Sequence, residues 1–245
     1  MENLSVTTQN SNLSLGGGIH EEGTIKTASA TIIQAYKSGI AEGQREGEKG
    51  LDRIRSLIPP PQEATRPITQ EGDANYTPLN KSRSREAMMA NSAEFKTFFQ
   101  KNPKIKTTRI ELQLTAASIY LLRPGFRIIQ GKRTIKQSAQ NIAKGTSQLK
   151  DPKASKHTRD PAEAFDFAVL FDNGKCCQGW KKMNSTYAKR YGFISGMAYV
   201  IFQGLKKEFG WNWYMRNVID WKFNDLGHIE IAERPYFKVD KRGER

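Results

Sequence analysis

Cysteine is almost absent from this 245-residue chain, and its two copies, Cys176 and Cys177, are adjacent, so no disulfide framework can staple distant segments together. Long apolar runs are missing as well. No stretch reaches the roughly 18 to 20 residues that a membrane-spanning helix needs, and the N-terminus has no basic start followed by an apolar run. These absences predict a protein made without an export signal in a cytoplasm, whose passage outward needs outside help. Apolar content is low too, at 37% hydrophobic residues and a mean hydropathy of -0.66, so part of the chain should be extended rather than packed. Histidine is scarce, with only His20, His157 and His228, which makes the position of each one informative.

Charge divides the chain. Residues 1–100 hold 11 Lys or Arg against 12 Asp or Glu, and residues 101–245 hold 28 against 13, so the whole positive excess lies in the C-terminal part. Such an excess favours a polyanionic neighbour, nucleic acid or an anionic cell surface, without choosing between them. Residues 1–24, with Gly16-Gly17-Gly18, read as a flexible arm. Residues 25–58 carry Ile32, Ile33, Tyr36 and Ile40, then Leu51, Ile54, Leu57 and Ile58, at helical spacing, and predict an amphipathic docking helix broken by glycines. Pro59-Pro60-Pro61 ends it, and residues 59–103 form a Pro- and charge-rich linker and lead-in to a folded domain at 104–245.

Within that domain, residues 107–122 read as an apolar helix or strand, 126–131 as a short strand, and 134–144 as a helix closed by Gly145. Ala164–Phe171 is a strand with its turn at Asp172-Asn173-Gly174, and residues 184–209 form a long helix between an Asn184 cap and Gly210. A Trp-rich stretch precedes a last strand over Gly227–Ala232. Short strands interrupted by helices, without regular alternation, indicate an α+β domain.

Two of the three histidines stand near carboxylates in this domain. His157 lies in a loop, and Asp166 lies on the strand that the loop enters; His228 opens the last strand, with Asp225 three residues before it and Glu230 two after. Two His and one Asp complete the protein ligand set of a catalytic zinc, which keeps one position for water. The attack then needs a base, for which Asp225 is the first choice; Glu230 is the rival, and its period of two from His228 also suits a partner that orients the ligand. Taken singly, either histidine reads as a surface or structural residue. Asp166 within Phe-Asp-Phe-Ala-Val must have a compensating partner, either a metal or a buried salt bridge.

The ordered combination resembles a known family. Ser155-x-His157 with Ala164-x-Asp166, followed by Asp225-x-x-His228-x-Glu230, is similar to the LAS-type zinc peptidases, the D-alanyl-D-alanine carboxypeptidases and L-alanyl-D-glutamate endopeptidases, among which phage endolysins are well represented. Gln130-Gly131-Lys132-Arg133-Thr134 with Gln137, then Ala143-Lys144-Gly145, and Phe209-Gly210-Trp211-Asn212-Trp213, extend the likeness over roughly residues 104–240. The resemblance implies a small antiparallel sheet flanked by helices, as in hedgehog-like peptidase domains, with an extended, partly helical N-terminal arm. It also implies zinc on His157, Asp166 and His228, Asp225 as general base, and Arg133 holding the substrate carbonyl or carboxylate. The sequence departs from the pattern in the longer turn at Asp160-Pro161, which leaves Asp160 or Glu163 as alternatives to Asp166, and in Gly227, where proline is frequent.

The expected function is therefore zinc-dependent cleavage of peptide stems or crosslinks of bacterial peptidoglycan. The first hundred residues resemble no wall-binding module, and an arm, a helix and a linker suit docking into phage structural proteins, so a virion or tail component is expected. A basic nucleic-acid-binding or structural virion protein with a degenerate peptidase fold is the alternative. It draws on the charge and on Trp180-Lys181-Lys182 and Tyr187-Ala188-Lys189-Arg190-Tyr191, where aromatics and bases interleave.

Overall fold

β2 (Ala164–Val169) is buried at every position because it lies inside the sheet rather than at its edge. β1 (Phe126–Gln130) flanks it on one side and β4 (His228–Ala232) on the other, with β3 (Tyr214–Asn217) beyond β4; every pairing is antiparallel. With five α-helices among the described residues, this is an α+β fold, as the sequence predicts. The computed structural model describes residues 30–57, 92–145, 147, 149–177, 183–217 and 226–233. The expected arm at 1–24 and most of the linker at 59–103 lie outside them.

α2 (Ala93–Lys101) was not legible as a separate element, yet it drives Phe95, Phe98 and Phe99 into the core from a Ser92 cap. α3 (Ile110–Leu122) resolves the helix-or-strand ambiguity of the 107–122 run. Ten of its thirteen residues are buried, and a helix apolar all round belongs inside a protein. α4 (Ile135–Ala143) starts with a capping box: Thr134 Oγ1 accepts from the Gln137 N–H at 3.1 Å, and Gln137 Oε1 accepts from the Thr134 N–H at 2.9 Å.

α5 (Ser185–Phe209) runs from its Asn184 cap to Gly210 at φ 65°, and Tyr191, Ile194, Met197, Ala198, Ile201 and Leu205 are buried along it as expected. α1 (Ala30–Leu57) packs along α5, and here the expectation of a glycine-broken helix is overturned: the helix is continuous. Its glycines are the contact. A Cβ on Gly43 would stand 2.0 Å from the Phe193 carbonyl oxygen, and one on Gly196 would stand 2.2 Å from that of Ile40, so only glycines permit this approach. Gly39 meets Lys189, Gly47 meets Met197 and Leu51 meets Gly204, so the two helices run parallel. Glu42 and Lys189 add an ion pair at 2.8 Å. Among the described residues no helix is long and apolar enough to cross a membrane.

Candidate metal centre

Antiparallel register places Asp166 of β2 directly opposite His228 of β4, the spacing at which facing side chains touch. His228 Nδ1 lies 2.6 Å from Asp166 Oδ1. His157 arrives from a 3-10 turn, Lys156–Thr158, whose position is fixed by the Glu163 N–H donating to the Lys156 carbonyl and the Arg133 N–H donating to the His157 carbonyl. Its Nε2 stands 3.2 Å from the same Asp166 oxygen and 3.3 Å from His228 Nδ1. The three residues could hold a metal ion. His157 and Asp166 are buried, and His228 is partly so.

The outer contacts decide what these atoms offer. His157 Nδ1 lies 2.7 Å from the Gly131 carbonyl oxygen, and a carbonyl can only accept, so that nitrogen carries the proton. His228 Nε2 likewise faces the Glu230 carboxylate at 3.3 Å and donates to it. In the neutral rings the remaining nitrogens are therefore bare lone pairs, and both point at one carboxylate oxygen. Three electron-rich atoms converging in a buried place repel one another unless a cation joins them, and outer partners that fix tautomers in this way are typical of metal ligands. Protonation of the rings can take the ion's place: at the Asp166 carboxyl, burial is the largest influence and pushes upward, but the charge and hydrogen bonds of protonated His157 and His228 outweigh it and hold the group well below the ordinary carboxylate range.

Arg133 is brought to the same place, its guanidinium 3.7 Å from the other Asp166 oxygen and largely buried. Glu230, the rival base of the sequence reading, sits behind His228 and also meets Arg216 at 3.3 Å. Burial, its largest influence, pushes its carboxyl up; His228, Arg216 and Lys156 together leave it lowered. Asp160 is exposed and pairs with Lys132 at 2.6 Å, and Glu163 pairs with Lys156 at 2.6 Å. Neither joins the cluster. Asp225 lies outside the described residues, as do Trp180, Lys181 and Lys182. The described members of the aromatic and basic set are engaged internally. Tyr191 is buried with its hydroxyl on the Cys177 carbonyl, Arg190 holds Asp172 and the Leu170 carbonyl, and Tyr187 packs on Phe171.

Gly131 is the contributor that sequence reasoning passed over as part of a motif. Its carbonyl sets the His157 tautomer, and a Cβ there would stand 2.2 Å from the Lys104 carbonyl oxygen and 2.5 Å from Thr107 Oγ1. Gly227 is similarly confined, since a Cβ would meet the Phe167 carbonyl oxygen at 2.4 Å. The departure before His228 thus has a packing reason.

Comparison with known proteins follows the same segment. Residues 94–232 match the family of phage L-alanyl-D-glutamate peptidases. Over 141 aligned residues, 55% of this chain and 97% of the relative, the chain is 38% identical to the L-alanyl-D-glutamate peptidase of Escherichia phage T5.

Proposed function

The chain belongs to the phage L-alanyl-D-glutamate peptidase family, and from that premise we propose that it is a zinc-dependent peptidase cutting the L-alanyl-D-glutamate bond in the peptide stems of bacterial peptidoglycan. The observation that carries the metal is the convergence of two tautomer-fixed imidazoles on one Asp166 oxygen. Donors about 2.1 Å from a tetrahedral zinc stand about 3.4 Å from one another. Two edges of the donor triangle, 3.2 and 3.3 Å, are close to this, and the third, 2.6 Å, is shorter. His157, Asp166 and His228 would hold the ion; bound there, zinc lowers the pKa of water and polarises the scissile carbonyl.

The chain's other residues complete the work. Arg133 offers a forked, permanently charged donor beside the metal ligands, suited to a substrate carboxylate or to the oxyanion of the tetrahedral intermediate. Asp225 is assigned as the base that takes a proton from the attacking water and returns it to the leaving amine of the D-glutamate residue. Glu230 and the Gly131 carbonyl keep the two imidazoles oriented. We place the catalytic unit at residues 104–245, supported at its lead-in by α2, and the enzyme in the virion or tail of a phage. With α1 occupied by α5, residues 1–29 and 58–91 are left to carry contact with phage structural proteins.

The test digests purified peptidoglycan with wild type, wild type in chelator, and Asp225→Asn. Mass spectrometry should find new L-alanine carboxyl ends and D-glutamate amino ends with wild type alone, and zinc should restore the chelated enzyme. Equal products from Asp225→Asn would remove that residue as base, and products unaffected by chelator would remove the metal. Absence of the chain from purified particles by mass spectrometry would refute the virion placement.

A further inference from the structure

Half of the protein's net charge of +14 sits in one seventh of its length: residues 126–160 contain nine Lys or Arg and only two carboxylates, Asp151 and Asp160. Both carboxylates are engaged. Asp151 caps the 3-10 turn Pro152–Ala154 by accepting from the Lys153 N–H at 2.8 Å, and Asp160 holds Lys132. Lys136, Lys144, Lys150 and Lys153 are exposed and are paired with no described carboxylate.

The element that carries these cations is poorly accounted for by the core. α4 buries only Ser138, and its main packing partner is the Pro152–Ala154 turn. Two of the four exposed large apolar side chains among the described residues belong to this stretch, Ile135 and Leu149. Both ends of the stretch are tied to the metal centre: Thr134, the α4 cap, follows Arg133, and the turn leads through Ser155 and Lys156 into His157. A cationic surface with apolar spots, fixed at both ends to the catalytic ligands and outside the cluster itself, matches a partner that is anionic, extended and near the scissile bond.

We propose that α4 and the Pro152–Ala154 turn form a shelf that docks the insoluble wall polymer through its many free stem-peptide carboxylates, beside the cleft and independently of the bond being cut. The proposal rests on the peptidoglycan reading above in naming the polymer. Each contact is weak and screened by salt, but many repeated carboxylates on one network make the attachment multivalent. The catalytic domain then carries its own wall-binding surface, in keeping with an N-terminal region that resembles no such module.

The test uses the full chain carrying Lys136→Glu, Lys144→Glu, Lys150→Glu and Lys153→Glu together, with a control in which Lys37, Lys96, Lys101 and Lys207, all outside the shelf, are reversed. Sedimentation with purified sacculi in chelator measures binding without cleavage, and a soluble stem peptide measures turnover with metal. The shelf variant should bind sacculi at least tenfold more weakly and with a shallower salt dependence. Its kcat/KM on the soluble peptide should stay within twofold of wild type, and that turnover also establishes folding. The control should bind as wild type does, and sacculi whose carboxyls have been amidated should bind neither. Wild-type binding by the shelf variant, an equal loss in the control, undiminished binding to amidated sacculi, or displacement by DNA at lower charge equivalents than by sacculi would each overturn the proposal. A protein that binds sacculi as described yet releases no peptide would instead overturn the peptidase reading and leave the shelf standing.

Discussion

Replacing Gly131 with alanine perturbs the proposed metal centre without touching any of its three proposed ligands. The added Cβ would lie 2.2 Å from the Lys104 carbonyl oxygen and 2.5 Å from Thr107 Oγ1, whereas ordinary contact begins near 3.4 Å. The 3-10 turn Pro103–Thr107 that supplies both atoms cannot easily retreat: Ile105 is fully buried, Lys104 Nζ donates to the Ile129 carbonyl, and Thr107 Oγ1 accepts from the Lys132 N–H. Residue 131 must therefore back away by about 1 Å, at an overpacking cost of about 1 to 3 kcal/mol. Its carbonyl moves with it, and the 2.7 Å hydrogen bond to His157 Nδ1 stretches beyond useful length. Loss of such an orienting partner lowers metal affinity about 10- to 100-fold, or about 1.4 to 2.7 kcal/mol. Zinc titration of the metal-stripped protein against a chromophoric chelator reads this directly, and saturating zinc should restore part of the activity. Gly174→Ala is the control: at φ 76° with open space around the Cβ it strains the backbone and should leave zinc affinity unchanged. A folded Gly131→Ala protein with wild-type zinc affinity would refute the role given to that carbonyl.

Glu230→Gln should lower zinc affinity by a similar 10- to 100-fold, because it removes the charge that orients His228 while keeping the shape. The folded-state pKa of Glu230 is lowered from 4.5, so its stabilisation is complete above that value and is lost as pH falls through the lower one. The difference in unfolding free energy between wild type and variant should accordingly hold constant from about pH 8 to 6 and close only in acid; a difference that closes on raising the pH would contradict this. Gly196→Ala should force α1 and α5 apart, costing about 1 to 3 kcal/mol and lowering Tm by about 2 to 4 °C per kcal/mol. An unchanged Tm would show that the contact is not close in solution.

The His157, Asp166 and His228 cluster was legible as a group because its chemistry is unusual at the level of single residues. A carboxylate within Phe165-Asp166-Phe167 needs a partner, and in a chain with three histidines the set of possible ligands is small. Glu230 was legible in part, since a period of two put it on the face of His228, but nothing in the sequence separates a base from an orienting group; the 3.3 Å contact with Nε2 supports the second. Gly131 acts through a backbone carbonyl, which every residue possesses, and so leaves no compositional mark. Gln137 belonged to the family-like segment, and its visible work is local, closing the capping box of α4. β3 was hidden because Tyr214–Asn217 lies in a Trp-rich stretch without clean alternation, and an edge strand takes its identity from the neighbour that pairs with it.

α1 shows the opposite case, in which a correct physical rule gave the wrong local answer. Glycine costs a helix about 0.8 to 1 kcal/mol relative to alanine, and α1 contains four, Gly39, Gly43, Gly47 and Gly50. Their combined penalty is about 3 to 4 kcal/mol, enough to predict a break when the segment is considered alone. The compensation comes from α5, whose backbone lies so close that no Cβ fits at Gly39 or Gly43, and that partner is about 150 residues away, beyond the reach of any periodicity argument. The helix is thus conditional on the domain. A peptide of residues 30–57 should be largely unstructured by circular dichroism in water, whereas the full chain should protect the same amides from hydrogen exchange. Strong helicity in the isolated peptide would mean that α1 needs no partner and that its glycines serve something other than this packing.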